Sequence, residues 1–278
     1  MTGAEPWVPV AITIFAWWFS TGIILLLVRL PRVWHGPMLL VCTIPALFAV
    51  WGLLASADNT TLAGVYCGFF CALMIWGWHE ASFLTGIITG PRPKACPEGV
   101  RGLARFGYAT ATLIYHEIAL FLTWLALVAL SWNASNQIAL MTFSLLFAMR
   151  LSAKFNIFLG VPNLTEEFFP LHLEHLKSYL PKRPMNALMP LSLLISGALA
   201  VWLWQQIAGA RDDAGALATI LIILSLTCLG ILEHIFMITP LPDAVLWRWA
   251  VPVAAGTKTP ELNVIGEKGR EMKKPENA

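Results

Sequence analysis

The chain has 278 residues, of which 58% are hydrophobic and only 12% charged. A soluble domain averages about 25% charged residues, so the composition excludes an ordinary soluble globule and points to a lipid bilayer. The formal charge of +2 is too small to imply a nucleic-acid partner.

The first apolar run begins after Met1-Thr-Gly-Ala-Glu-Pro, with no basic stretch before it and no small-residue cleavage site behind it. It reads as a retained helix and not a signal peptide. A helix needs about 20 apolar residues to cross a bilayer core. On that measure seven spans are expected, near residues 7–28, 37–56, 62–89, 108–131, 137–160, 187–208 and 215–239. The runs are continuous and do not alternate, which rules against a β-barrel. The expected fold class is therefore all-α: a polytopic integral membrane bundle of about seven transmembrane helices in residues 1–252.

Lys and Arg in the connections set the orientation. Fifteen lie on one side, in the connections after spans one, three and five and in the tail; Arg211 alone lies on the other. The N-terminus is expected to be periplasmic and the C-terminus cytoplasmic. Thirteen Trp provide amphipathic rings for the membrane–water interface, and Trp247 and Trp249 around Arg248 read as an anchor there. Residues 253–278 are polar and rich in Gly, Pro, Lys and Glu, the composition of a disordered tail. The five cysteines include no CxxC pair and read as small buried hydrophobes.

Within the cytoplasmic loop 161–186, Pro170 suits a first helical position. An amphipathic surface helix from Pro170 to Leu180 is expected. Leu173, Leu176 and Leu180 would form its apolar face, with His172, His175 and Tyr179 on the neighbouring one.

Eight ionisable residues fall inside spans: His79, Glu80, His116, Glu117, Arg150, Lys154, Glu233 and His234. A charge at mid-bilayer costs about 2.5–3.5 kcal/mol on insertion scales, so each needs a reason. At a rise of about 1.5 Å per residue, the groups on spans three, four, five and seven lie roughly 8–15 Å below the cytoplasmic surface. Four helices thus place polar groups in one layer, and no span adds an acid or base to the outer half.

Several chemistries fit that layer. Three glutamates against Arg150 and Lys154 nearly balance as a structural ion-pair network. Carboxylate with imidazole also suits iron, manganese or zinc, as in helical di-iron sites. The ligands would come from His79, Glu80, His116, Glu117, Glu233 and His234, with His172, His175, Glu166 and Glu167 as secondary candidates. Lys154 and Arg150 would then position an anionic group of a pigment, carotenoid or quinone substrate. The usual Glu-x-x-His and His-Glu-x-x-His spacings are absent from the spans. A third reading is a tetrapyrrole or quinone contact, with a histidine as axial ligand and Trp76, Trp78 and Trp124 as packing surfaces. A proton or ion path is the last, without the paired broken helices of a transporter.

These same residues carry a resemblance. Trp78-His79-Glu80, Tyr115-His116-Glu117-Ile-Ala-Leu, Lys154-Phe-Asn-Ile-Phe-Leu-Gly-Val-Pro-Asn163 with Phe-Phe-Pro-Leu-His-Leu after it, and Glu233-His234-Ile-Phe-Met resemble the PuhE-type photosynthetic complex assembly family of purple and related bacteria. The likeness covers about residues 8–250, and the Lys154–Asn163 segment is its most distinctive part. It implies an assembly or regulatory factor for the photosynthetic reaction centre and bacteriochlorophyll supply, in the bacterial inner (intracytoplasmic) membrane. The implied partners are reaction-centre or light-harvesting subunits and pigment-biosynthesis enzymes. It brings no catalytic mechanism or ligand set, so the role of the His/Glu layer stays open between these readings.

Overall fold

The computed structural model describes residues 5–164, 170–239 and 243–250. The expected disordered tail and the candidates Glu166 and Glu167 lie outside them. The α-helices are α1 (Trp7–Val28), α2 (His35–Ala55), α3 (Leu62–Leu84), α4 (Gly102–Ala111), α5 (Ile114–Ser131), α6 (Ile138–Leu159), α7 (Leu188–Gln206) and α8 (Ala214–Phe236). Seven of them, all but α4, are long and apolar enough to cross a membrane. No helix-to-strand mixture is present: the described residues hold only one isolated bridge, Val161 with Lys182.

α3, α6 and α8 form the centre, with α1, α2, α5 and α7 around them. Of the most apolar stretches of α3 and α8, 44% and 56% of residues are buried, against 17% to 28% for the other spans. Small residues let these helices approach, the usual device where lipid removes any hydrophobic drive between spans. A Cβ on Gly68 of α3 would lie 2.6 Å from Ile138 of α6, and one on Gly230 of α8 would lie 2.9 Å from Met149. At the helix starts, Thr61 accepts from the Gly64 amide and Asp213 from the Gly215 and Ala216 amides, satisfying donors that an apolar setting would leave unpaired.

Three expectations change. The fourth span is not continuous from residue 108: it divides at Thr112 and Leu113, where Leu113 leaves helical geometry (φ −139°, ψ 2°). The loop after α3 fills the break. The His116 amide donates to Thr89 O at 3.1 Å and Arg92 N donates to Ala111 O. Gly90 fits there because a Cβ would stand 2.4 Å from Ala111 O. The third span accordingly ends at Leu84 and not near residue 89, with Gly86 in the left-handed region at φ +79°.

The loop helix forms over Leu171–Tyr179, but as a 3-10 helix. Its threefold repeat puts Tyr179, and not Leu180, on the buried face with Leu173 and Leu176. That face packs on Phe83, Leu84 and Leu113 of the bundle. Tyr179 Oη donates to Lys94 O at 2.9 Å and accepts from Arg92 Nε, so the two long loops are tied together. The chain after α8 docks on α1: Trp247 is buried against Trp17 and donates to Trp18 O, while Trp249 stacks on Phe19.

Candidate functional site

α6 carries Arg150 and Lys154 four residues apart, hence on one face. That face meets one glutamate from each of two neighbours. Arg150 Nη2 donates to Glu80 Oε2 of α3 at 2.9 Å. Lys154 Nζ donates to Glu117 Oε1, in the first turn of α5, and lies over the Phe83 ring. The third acid, Glu233 of α8, accepts from the indole Nε1 of Trp17 on α1 at 2.8 Å. All five side chains line one cavity of about 570 Å3. Its other walls are mainly apolar, with Leu73 and Trp76 of α3, Leu145 and Met149 of α6, and Leu226 and Leu229 of α8. Leu173, Leu176 and Tyr179 of the 3-10 helix also border it. A volume of this size is typical of small-molecule sites, about 300–1,000 Å3.

The histidines beside these acids do not line the cavity. Adjacent helical residues point about 100° apart, so each pair sends its acid and its imidazole different ways. His79 Nε2 meets Thr123 Oγ1 of α5 at 2.9 Å, and its ring lies 6.4 Å from that of His116. His116 is fully buried and packs on Phe83 at 4.7 Å; neither ring nitrogen has a hydrogen-bond partner among the described residues. His234 faces the other side of α6. Its Nδ1 donates to Gly230 O, and its Nε2 meets Ser152 Oγ at 2.9 Å. Ser152 in turn contacts Ser192 of α7, which accepts from Asn156 Nδ2.

The secondary candidates lie elsewhere. His172 Nε2 donates to Leu84 O at 2.8 Å, beneath the end of α3, with the His35 ring 5.9 Å away. His175 is half-buried on the same 3-10 helix. Burial lowers the pKa of both imidazoles. Among the described residues no three His, Cys, Asp or Glu side chains converge as metal ligands would. Two of the glutamates expected as ligands are held by cations instead. The aromatic packing surfaces are also engaged: Trp78 donates to Thr43, Trp124 donates to Ser144, and Trp76 alone of the three reaches the cavity.

Two features were not read from the sequence. Trp17 is one; its signal was an indole in the middle of a span, away from the interfaces where such rings collect. The Ser152–Ser192–Asn156 contacts are the other, because hydroxyls and amides in apolar runs satisfy themselves locally as often as across helices.

The arrangement can hold a lipid-soluble molecule against apolar walls, with a charged and hydrogen-bonding patch on one side. A comparison with solved structures finds no match. A protein of Rhodobacter capsulatus, described as an uncharacterized 30.4 kDa protein in the puhA 5′ region, is 37% identical over 253 residues, 89% of this chain and 92% of the relative. The puhA-region relative bears out the resemblance to PuhE-type proteins. A family model described as "Protein of unknown function (DUF3623)" matches residues 3–258, and the chain belongs to that family.

Proposed function

We propose that this chain is an assembly or regulatory factor for the photosynthetic reaction centre and its bacteriochlorophyll supply. It works within the inner (intracytoplasmic) membrane, with its N-terminus periplasmic and its C-terminus cytoplasmic. The observation that carries this reading is the near full-length relative from the puhA region, joined to the PuhE-type resemblance. The intramembrane cavity supports it: a factor that serves pigment–protein assembly needs a place for a lipid-soluble molecule, and ion pairs fix the cavity's polar wall. The partners are reaction-centre or light-harvesting subunits or pigment-biosynthesis enzymes, met inside the bilayer. The test is deletion of the gene in its phototrophic host. Assembled reaction centre should fall or the pigment spectrum should change, and the intact gene should restore both. Unchanged phototrophic growth and unchanged spectra would overturn the reading.

A further inference from the structure

The cavity walls are not balanced in charge. Among the described lining residues, Glu80, Glu117 and Glu233 face only two bases, Arg150 and Lys154. Both bases are committed, to Glu80 and to Glu117. Arg150 Nε is sealed from the cavity by burial. Glu233 is left over: it accepts one hydrogen bond, from Trp17 through Oε1, and no Lys, Arg or His nitrogen of the described residues lies within 4 Å. It is also exposed, although it sits on the cavity side of α8 with lining residues from α1, α3 and α6 around it. Glu233 thus borders the cavity and keeps accessible surface of its own. A carboxylate in apolar surroundings is costly unless something pairs with it, and a partner from outside the chain has room to do so.

We propose that the cavity binds a lipid-soluble amine, with its protonated amino head paired to Glu233 and its apolar body against Leu73, Trp76, Leu145 and Leu226. The head supplies the one positive charge that the described lining residues lack. An anionic head is disfavoured beside Glu233, because it would add negative charge to a lining in which three glutamates already face two bases. A neutral head leaves Glu233 without a cation in contact. The indole of Trp17 holds Oε1, so the second carboxylate oxygen is the one presented to the ligand.

The test uses the full-length protein in mild detergent, with native mass spectrometry to count bound molecules. Dodecylamine, dodecanol and dodecanoic acid share one apolar body and differ in the head. The amine should bind at one per chain, at least about tenfold more tightly than either of the others. Glu233→Gln, which keeps an acceptor for Trp17, should weaken the amine about tenfold and leave dodecanol unchanged. Trp17→Phe, which keeps the carboxylate, should retain the preference for the amine. Equal binding of all three probes to the unaltered chain overturns the proposal without any variant. So does an amine affinity that Glu233→Gln leaves intact. The measurement is made on purified protein, so its result stands apart from the assembly phenotype.

Discussion

One helix serves two polar regions of opposite character. On one face of α6, Arg150 and Lys154 reach Glu80 and Glu117 and border a cavity. On the other, Ser152 and Asn156 join Ser192 of α7 and His234 of α8 in a closed set of contacts. Asn156 is fully buried there, and its amide also donates to Ser152 O. Positions 150 and 154 share one face, and 152 and 156 share the opposite one, because two residues turn an α-helix by about 200°. Full charges are found where there is accessible volume. Uncharged donors and acceptors are found where the helices close on each other. The difference teaches that the closed face can be held by short hydroxyl and amide contacts, although Asn156 Oδ1 has no hydrogen-bond partner among the described residues. The open face must hold long side chains in place beside space, and ion pairs fix them there.

If that distinction is right, one-sided removal of a charge should be the most damaging change. Lys154→Met leaves Glu117 without its cation in a largely apolar setting. The expected cost is about 3–5 kcal/mol, the range for breaking a buried pair from one side. The measurement is the midpoint of thermal unfolding in mild detergent. Adding Glu117→Gln to Lys154→Met removes the stranded charge and should recover most of the loss. A double variant as unstable as the single one would show that the pair does not carry the stability. The closed face should respond far less. Ser192→Ala removes contacts to Ser152 and Asn156, and hydrogen bonds between spans average about 0.6 kcal/mol. A loss on the scale of Lys154→Met would erase the contrast between the two faces.

Much of this contrast was legible in the chain itself. Hydropathy located the seven spans, because crossing a bilayer leaves a signal about 20 residues long that no later packing can hide. The polar residues were legible for a related reason: Glu80, Glu117, Arg150, Lys154 and Glu233 stand out against apolar neighbours, and these five line one cavity. What each group does was not legible. The pairing of Glu80 with Arg150 and of Glu117 with Lys154 depends on how α3, α5 and α6 rotate against one another, which a list of adjacent His-Glu residues does not specify. The same rotation turned His79, His116 and His234 away from the cavity. The break at Thr112 and Leu113 was hidden as well. It arises from the loop after α3, which inserts against it through Thr89 and Arg92, with Gly90 giving the necessary clearance, and hydropathy sees the stretch 108–131 as one apolar run. The loop helix shows a subtler miss. Leu173 and Leu176 were placed correctly on the buried face, but the 3-10 repeat exchanged Leu180 for Tyr179.

The smallest expected effect concerns the contact between the bundle and that loop helix, outside the spans. His172 donates to Leu84 O and packs near His35 of α2, with Arg32 and His175 close by. Burial holds its pKa below the ordinary imidazole value of 6.5; the bond to Leu84 O opposes that shift, and Arg32, His35 and His175 reinforce it. The folded state therefore favours neutral His172. Its contribution to docking is fully present above the ordinary imidazole value and is lost as pH falls through the lowered one. Protection of the amides in Leu171–Tyr179 from hydrogen exchange, corrected for the intrinsic pH dependence, should decline over that acid window. α8 should keep its protection, since its stability is set by the packed centre of the bundle. His172→Gln, which retains a donor for Leu84 O but cannot take up a proton, should flatten the decline. A decline that persists unchanged in this variant would assign the pH response to His175 and remove His172 as its cause.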